Sequence, residues 1–172
     1  MAQKKTTRKG SSLKQGKVAD MKLLVVVRHG AYDDDLNLNH RGKDQIQGLS
    51  EKLKDFVNGN KILLLSSPAP RASQSAQIIS EKLGVPVEEH AILWSDSDHW
   101  ENFDGLLKIV KKRKSEAEVI ILVTHLEYVE GFPNHFARNE LDMDTDYPPV
   151  PSKGEACLVD CINKSFQLIS YC

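Results

Sequence analysis

The sequence predicts an α/β protein: a three-layer α/β/α sandwich with a mostly parallel central sheet and an antiparallel edge hairpin. Three observations predict it. Short runs that are apolar throughout, Leu23 to Val27, Ile62 to Leu65 and Val119 to Val123, read as strands buried on both faces. Between them lie segments whose apolar residues recur at helical spacing. Last, two strand-like stretches, Ala156 to Ile162 and Phe166 to Tyr171, flank Asn163-Lys164, which can make a tight hairpin turn.

The first strand has three β-branched residues and ends abruptly in Arg28, His29 and Gly30. Open α/β sheets bind ligands at the carboxyl ends of such strands. Gly30 lets the backbone turn sharply and pass close to whatever is bound. The following loop carries three successive acids, Asp33 to Asp35, read as a solvated surface. Asn39 is the expected N-cap of a helix reaching Val57, with Ile46, Leu49, Leu53 and Phe56 as its stripe. Asn58-Gly59-Asn60 stops that helix.

The second strand runs into Ser66-Ser67-Pro68, and a helix over 69–83 follows, ended by Gly84. Its buried face is expected to be Ala72, Ala76, Ile79 and Leu83, and Pro68 or Pro70 suits its first turn. Val85-Pro86-Val87 reads as a brief extended piece before a loop over 88–100. Phe103, Leu106, Leu107 and Val110 mark a third helix, with the cations of Lys111 to Lys114 at its carboxyl end. The third strand finishes in Thr124-His125, where another helix start is expected. An acidic stretch, Glu140 to Pro151, is expected to be mobile before the hairpin.

At 172 residues the chain suffices for one well-buried core, expected over 21–172. Residues 1–20 are expected to form a disordered basic tail, because they have almost no apolar content and the first 17 hold six cations and no acid. The remainder then carries 17 cations against 24 acids, which argues against nucleic acid as a partner, since such binding rests on phosphate neutralisation. The apolar run before Arg28 is too short for a signal peptide, and nothing approaches the ~20 residues of a membrane span. Cys157, Cys161 and Cys172 read as free thiols of a reducing compartment, so the expected location is cytoplasmic. Cys157 and Cys161 alone do not make a metal site.

If the three strands are parallel neighbours, Arg28, His29, Ser66-Ser67, Arg71 and His125 converge at one sheet edge. A lone Arg71 near a helix start is more often solvated, and a lone His125 after a strand is more often a capped core residue. Their coincidence at three strand ends points instead to a shared site. Two arginines and two histidines would repel one another unless an anion came between them. Arginine forks match phosphoryl oxygens, and helix starts add amide donors, so the ligand indicated is a phosphate group.

In this order, Val-Val-Arg28-His29-Gly30, Ser66-Ser67-Pro68-x-x-Arg71-Ala72-x-Gln74-Ser75-Ala76 and Val-Thr124-His125 resemble the histidine phosphatase superfamily (phosphoglycerate mutase-like). Asn39-x-x-Gly42-x-x-Gln45 is similar to that family's segment at the start of its first helix, and the likeness runs through most of residues 22–171. The resemblance implies that His29 is a nucleophile forming a phosphohistidine. Arg28, Arg71 and His125 would hold the phosphoryl group, with Gly30 and Asn39 adding phosphate contacts. Neither metal nor cofactor is expected, because the arginines neutralise the charge. Neighbouring cations should also keep the attacking imidazole neutral.

The departures concern the general acid. Family mutases carry a glutamate after the second helix, where this chain has Ser95, with Asp96 and Asp98 close by. Another branch has an aspartate after the second histidine, where this chain has Leu126 and then Glu127. Asp96 and Glu127 are therefore the candidates, and a phosphohistidine leaving group needs no strong acid. Only 53 residues separate Arg71 from His125, too few for an inserted cap. The expected activity is that of a small SixA-type phosphatase acting on protein phosphohistidine. The alternatives are a small-molecule phosphomonoesterase, whose partner is a small phosphate ester, and a catalytically weak module that only binds phospho-ligands.

Overall fold

A computed structural model describes residues 20–144 and 147–172. The expected tail thus lies outside the described residues except for Asp20. Strands β1 (Leu23–Arg28), β2 (Ile62–Ser66), β3 (Val87–Glu89), β4 (Val119–Thr124), β5 (Ala156–Asp160) and β6 (Ser165–Ile169) form one sheet. Helices α1 (His40–Val57), α2 (Pro70–Leu83), α3 (Phe103–Arg113) and α4 (Leu126–Glu140) cover it. Strand order is β3-β2-β4-β1-β5-β6. The first four are parallel, and the β5–β6 hairpin adds the antiparallel edge.

Alternation along the strands makes the three layers. Val25 and Val27 of β1, Leu64 of β2 and Ile121 and Val123 of β4 pack on α1 and α2. Leu24, Val26, Leu65, Ile120 and Leu122 face the other way, onto α3 and α4. Both faces of β4 are covered, and all six of its residues are buried. Fully burying such a side chain stabilises by about 1.5–3 kcal/mol, more than helix propensity contributes at any one position.

Four details depart from the pattern. The stripe of α1 closes on Val57, 2% exposed, while Phe56 is 38% exposed. The 4-residue step from Leu53 keeps Val57 over the sheet, whereas Phe56 is turned past it. The extended piece near Val87 becomes strand β3, because it pairs with the free edge of β2 (Leu64 opposite Val87). The helix after His125 is a full 15 residues despite Pro133, and Tyr128, Phe132 and Phe136 anchor it to the core. Within the stretch expected to be mobile, Met143 is buried and its amide donates to the Ala137 carbonyl at 3.2 Å. Residues 145–146 lie outside the described residues.

The turn after β1 is clamped onto the start of α1. A side chain on Gly30 would put Cβ 2.5 Å from the Gly42 carbonyl oxygen. One on Gly42 would lie 1.9 Å from the Ala31 carbonyl oxygen. Two glycines thus let backbone meet backbone, and Gln45 one turn later accepts the Ala31 amide at 2.9 Å. We expect Gly42→Ala to cost about 1–3 kcal/mol by forcing the turn off the helix, read as a lowered urea midpoint with an unchanged m-value.

Candidate active site

Register brings the strand ends level. Arg28 lies opposite Thr124 and Ser66 opposite Val123. Past the ladder, the His29 amide donates to the Thr124 carbonyl at 3.1 Å and the Ser67 amide to the Val123 carbonyl at 2.9 Å. These bonds carry His29, Ser67 and His125 to one edge of the sheet. Arg71 arrives from the first turn of α2, where Pro70 at the first position sacrifices no helical bond.

The Arg71 guanidinium spans both imidazoles. Its Nε donates to His29 Nε2 at 3.2 Å and its Nη2 to His125 Nδ1 at 3.1 Å. The two rings stand edge to face, 5.2 Å between centroids. A cavity of about 240 Å³ opens beside them, lined also by Arg28, Tyr32, Lys153 and the acids Asp96 and Glu127. Among the described residues, no group of three or more His, Cys, Asp or Glu side chains is arranged to hold a metal ion.

These bonds assign the tautomers. Arginine only donates, so His29 Nε2 presents a lone pair, and its protonated Nδ1 donates to the Gly30 carbonyl at 2.8 Å. His125 likewise accepts at Nδ1, so its Nε2–H donates to Ser67 Oγ at 2.8 Å. Burial pushes the His29 pKa down to about 3, and the charges of His125, Arg71 and Arg28 push the same way against the Gly30 hydrogen bond. Burial first, then Arg71, holds His125 near the same value, with Asp96 opposing. Both rings are neutral at pH 7, and His29 offers an unprotonated nitrogen toward the cations.

The remaining parts of the motif brace this geometry. Ser75 Oγ accepts the Gly30 amide at 3.1 Å and donates to the Arg71 carbonyl at 2.7 Å. Gln74 accepts the Leu38 amide and donates to Asn37, tying the acidic loop to α2. Gly154, in the left-handed region at φ 79°, donates its amide to the Arg28 and His29 carbonyls. Its neighbour Lys153 is thereby placed at the cavity.

The two acids differ. Asp96 Oδ1 accepts from the Asp98 and His99 amides and from His99 Nδ1, while Oδ2 accepts from Trp94 Nε1. The His99 bond above all holds this carboxyl well below the usual carboxylate range. Asp96 is an anchor for its loop, which leaves it poorly suited to deliver a proton. Glu127, in the first turn of α4, accepts from the hydroxyl of buried Ser95. A carboxylate from α4 therefore meets Ser95 at the cavity.

Two residues expected at the phosphate have other partners. Gly30 engages both its amide and its carbonyl within the protein. Asn39 caps α1, accepting the Gly42 amide at 2.9 Å and donating to the Tyr32 carbonyl, and it does not line the cavity. Sequence reasoning missed Tyr32 and Lys153. Tyr32 packs on the His29 ring at 5.2 Å, with Arg71 at 5.0 Å and Lys153 at 4.2 Å from its own ring. An aromatic three residues past His29 was a local signal for Tyr32, but nothing local marked Lys153.

The titration of the two imidazoles gives a stability test. Unfolded, both take up protons near 6.5, whereas folded they do so near 3. Between those values the unfolded chain binds more protons, so stability is full above 6.5 and lost as pH falls. We expect Tm to drop steadily from about pH 7 to about pH 4, with part of that slope removed in the double variant His29→Asn, His125→Asn. A slope unaltered in that variant would contradict the neutral, desolvated rings.

Known proteins share this fold in outline. Residues 24–103 match the family model described as "Histidine phosphatase superfamily (branch 1)". No curated protein matches the chain in sequence. Among solved structures, the fold is similar to the protein histidine phosphatase SixA complexed with tungstate (19% identity, 87% of this chain and 97% of that one, TM-score 0.67). It is similar also to a phosphohistidine phosphatase SixA from Agrobacterium tumefaciens, so described provisionally (16% identity, 88% and 97% covered, TM-score 0.62). A mycobacterial glucosyl-3-phosphoglycerate phosphatase is a third (15% identity, 87% and 98% covered, TM-score 0.57). At such identities the likeness is one of fold. The stretch that carries His29 and Arg71 matches the model of the histidine phosphatase superfamily, and the described chain has a fold similar to that of the SixA phosphatase.

Proposed function

We propose that the protein is a phosphatase that works through a phosphohistidine on its own His29 and takes its phosphoryl group from phosphohistidine on another protein. One observation carries the reading: the Nε2 lone pair of a buried, neutral His29 faces Arg71, with Arg28 and His125 on the same cavity. In the first step Nε2 attacks phosphorus and the bond to the leaving group breaks, the electron pair staying with that group. Arg28 and Arg71 neutralise the charge spread over the equatorial oxygens, and His125, accepting from Arg71 Nη2, holds that guanidinium in place. Water then attacks phosphorus, the bond to His29 Nε2 breaks, and phosphate leaves. Glu127 passes a proton to the leaving atom in the first step and takes one from water in the second.

A protein substrate is supported by the absence of an insertion. The residues between Arg71 and His125 are used by the rest of α2, β3, a 3-10 turn at Ala91–Leu93, α3 and β4. Of the residues between Arg71 and His125, Ser95 and Asp96 line the cavity, and a phosphorylated side chain on a protein surface would reach His29 past them. The SixA described as a protein histidine phosphatase also shares this fold.

The test is a substrate panel. His29→Ala should abolish turnover of phosphohistidine protein and of phenyl phosphate alike, and a near-native rate would remove His29 from the mechanism. Glu127→Gln should slow alkyl phosphates roughly 100-fold but barely change phosphohistidine, whose imidazole departs without strong acid catalysis. Faster turnover of small esters than of phosphohistidine protein would move the reading to a small-molecule phosphomonoesterase. Tight phosphate binding without turnover would make the protein a binding module.

A further inference from the structure

A second cavity, of about 440 Å³, opens beside the first and shares Arg28 and Lys153 with it. Arg41, from the first turn of α1, stands on its far wall, and Glu155 is the acid among its lining. Glu155 is engaged elsewhere: Oε2 accepts the Ser152 amide and Oε1 accepts the Ser170 hydroxyl, both at 2.8 Å. The three cations are not matched by ion pairs among the described residues. Arg28 Nε is buried with no hydrogen-bond partner, and Arg28 Nη1 has only a long contact, 3.4 Å, to the Pro151 carbonyl. Lys153 rests over the Tyr32 ring at 4.2 Å, on the rim between the two cavities. On other faces of the molecule comparable cations are paired, as Arg113 is with Glu88 and Lys82 with Glu51.

Three like charges around one hollow repel each other, and an anion among them removes that cost. Arg28 faces both cavities, so a group bound in the second is joined by a short path to one bound beside His29. We propose that the second cavity is a subsite for a second anionic group, a carboxylate or phosphate carried by the leaving group of the substrate. The proposal rests on the reading that a phosphoryl group occupies the cavity at His29. It makes Arg41 and Lys153 specificity-determining residues: the favoured substrate is doubly anionic, the two groups set close together. Either an acidic residue flanking the phosphorylated side chain of a protein or a bis-anionic small molecule supplies that chemistry.

The experiment measures binding and turnover separately. By calorimetry, 1,3-propanediol bisphosphate should bind the full-length protein more tightly than propyl phosphate. In Arg41→Glu that preference should fall about fivefold or more, as it should in Lys153→Glu. Lys108→Glu, an exposed position on α3, controls for net charge and should keep the native preference. Equal affinities for the two ligands, or a preference untouched by Arg41→Glu, would overturn the subsite. Because the readout is binding, it holds whether or not turnover is seen; absence of phenyl phosphate hydrolysis would count against the phosphatase reading alone. Phosphohistidine peptides with aspartate or alanine beside the phosphorylated residue then separate the sources. A gain with aspartate that Arg41→Glu removes assigns the subsite to a protein substrate, and its absence beside a strong bisphosphate preference assigns it to a small molecule.

Discussion

One guanidinium between two imidazoles is the contact on which the site depends. Arg71 can only donate, so its presence dictates that His29 Nε2 and His125 Nδ1 are both acceptors. Each ring must then carry its proton on the other nitrogen, and each has a partner waiting there: the Gly30 carbonyl and the Ser67 hydroxyl. Removal from water is the largest force keeping both rings neutral, with the surrounding positive charge reinforcing it. An unprotonated His29 Nε2 facing the guanidinium follows from ordinary hydrogen-bond arithmetic.

The scaffold holds that contact from three sides. From α1, Gly42 lets backbone touch backbone and Gln45 accepts the Ala31 amide. From α2, Ser75 ties the Gly30 amide to the Arg71 carbonyl, so the turn after His29 and the start of α2 share one hydroxyl. From the loop before β5, Gly154 donates to the Arg28 and His29 carbonyls and sets Lys153 over Tyr32. A turn held by three elements, each itself packed on the sheet, leaves His29 few alternative positions.

The carboxylates illustrate how surroundings divide similar groups. Asp96 accepts four N–H donors and is kept ionised, which makes it a fastener for the loop carrying Trp94 and His99. Glu127 meets a single hydroxyl, that of Ser95, at the mouth of the same cavity. The acid from α4 and the serine from the loop after the 3-10 turn thus share one edge of the cavity.

Much of this was legible in the residues themselves. The apolar runs of β1, β2 and β4 mark buried strands because burial on both faces leaves no room for polar residues, and Asn39 and Gly84 announce helix ends through their backbone chemistry. The order of Arg28, His29, Arg71 and His125 was likewise readable, since each directly follows a strand or opens a helix. What the chain order could not convey was who touches whom. Val87–Glu89 became a strand only because β2 offered it an open edge. Asp96 and Glu127 parted ways through neighbours on other elements. Lys153, over 120 residues from His29 in sequence, reached the site through a loop fastened by Gly154. Local sequence determined the elements and their polar ends, because strand burial and helix capping are short-range; only the tertiary structure decided the partners, because hydrogen bonds and charge act across space irrespective of chain separation.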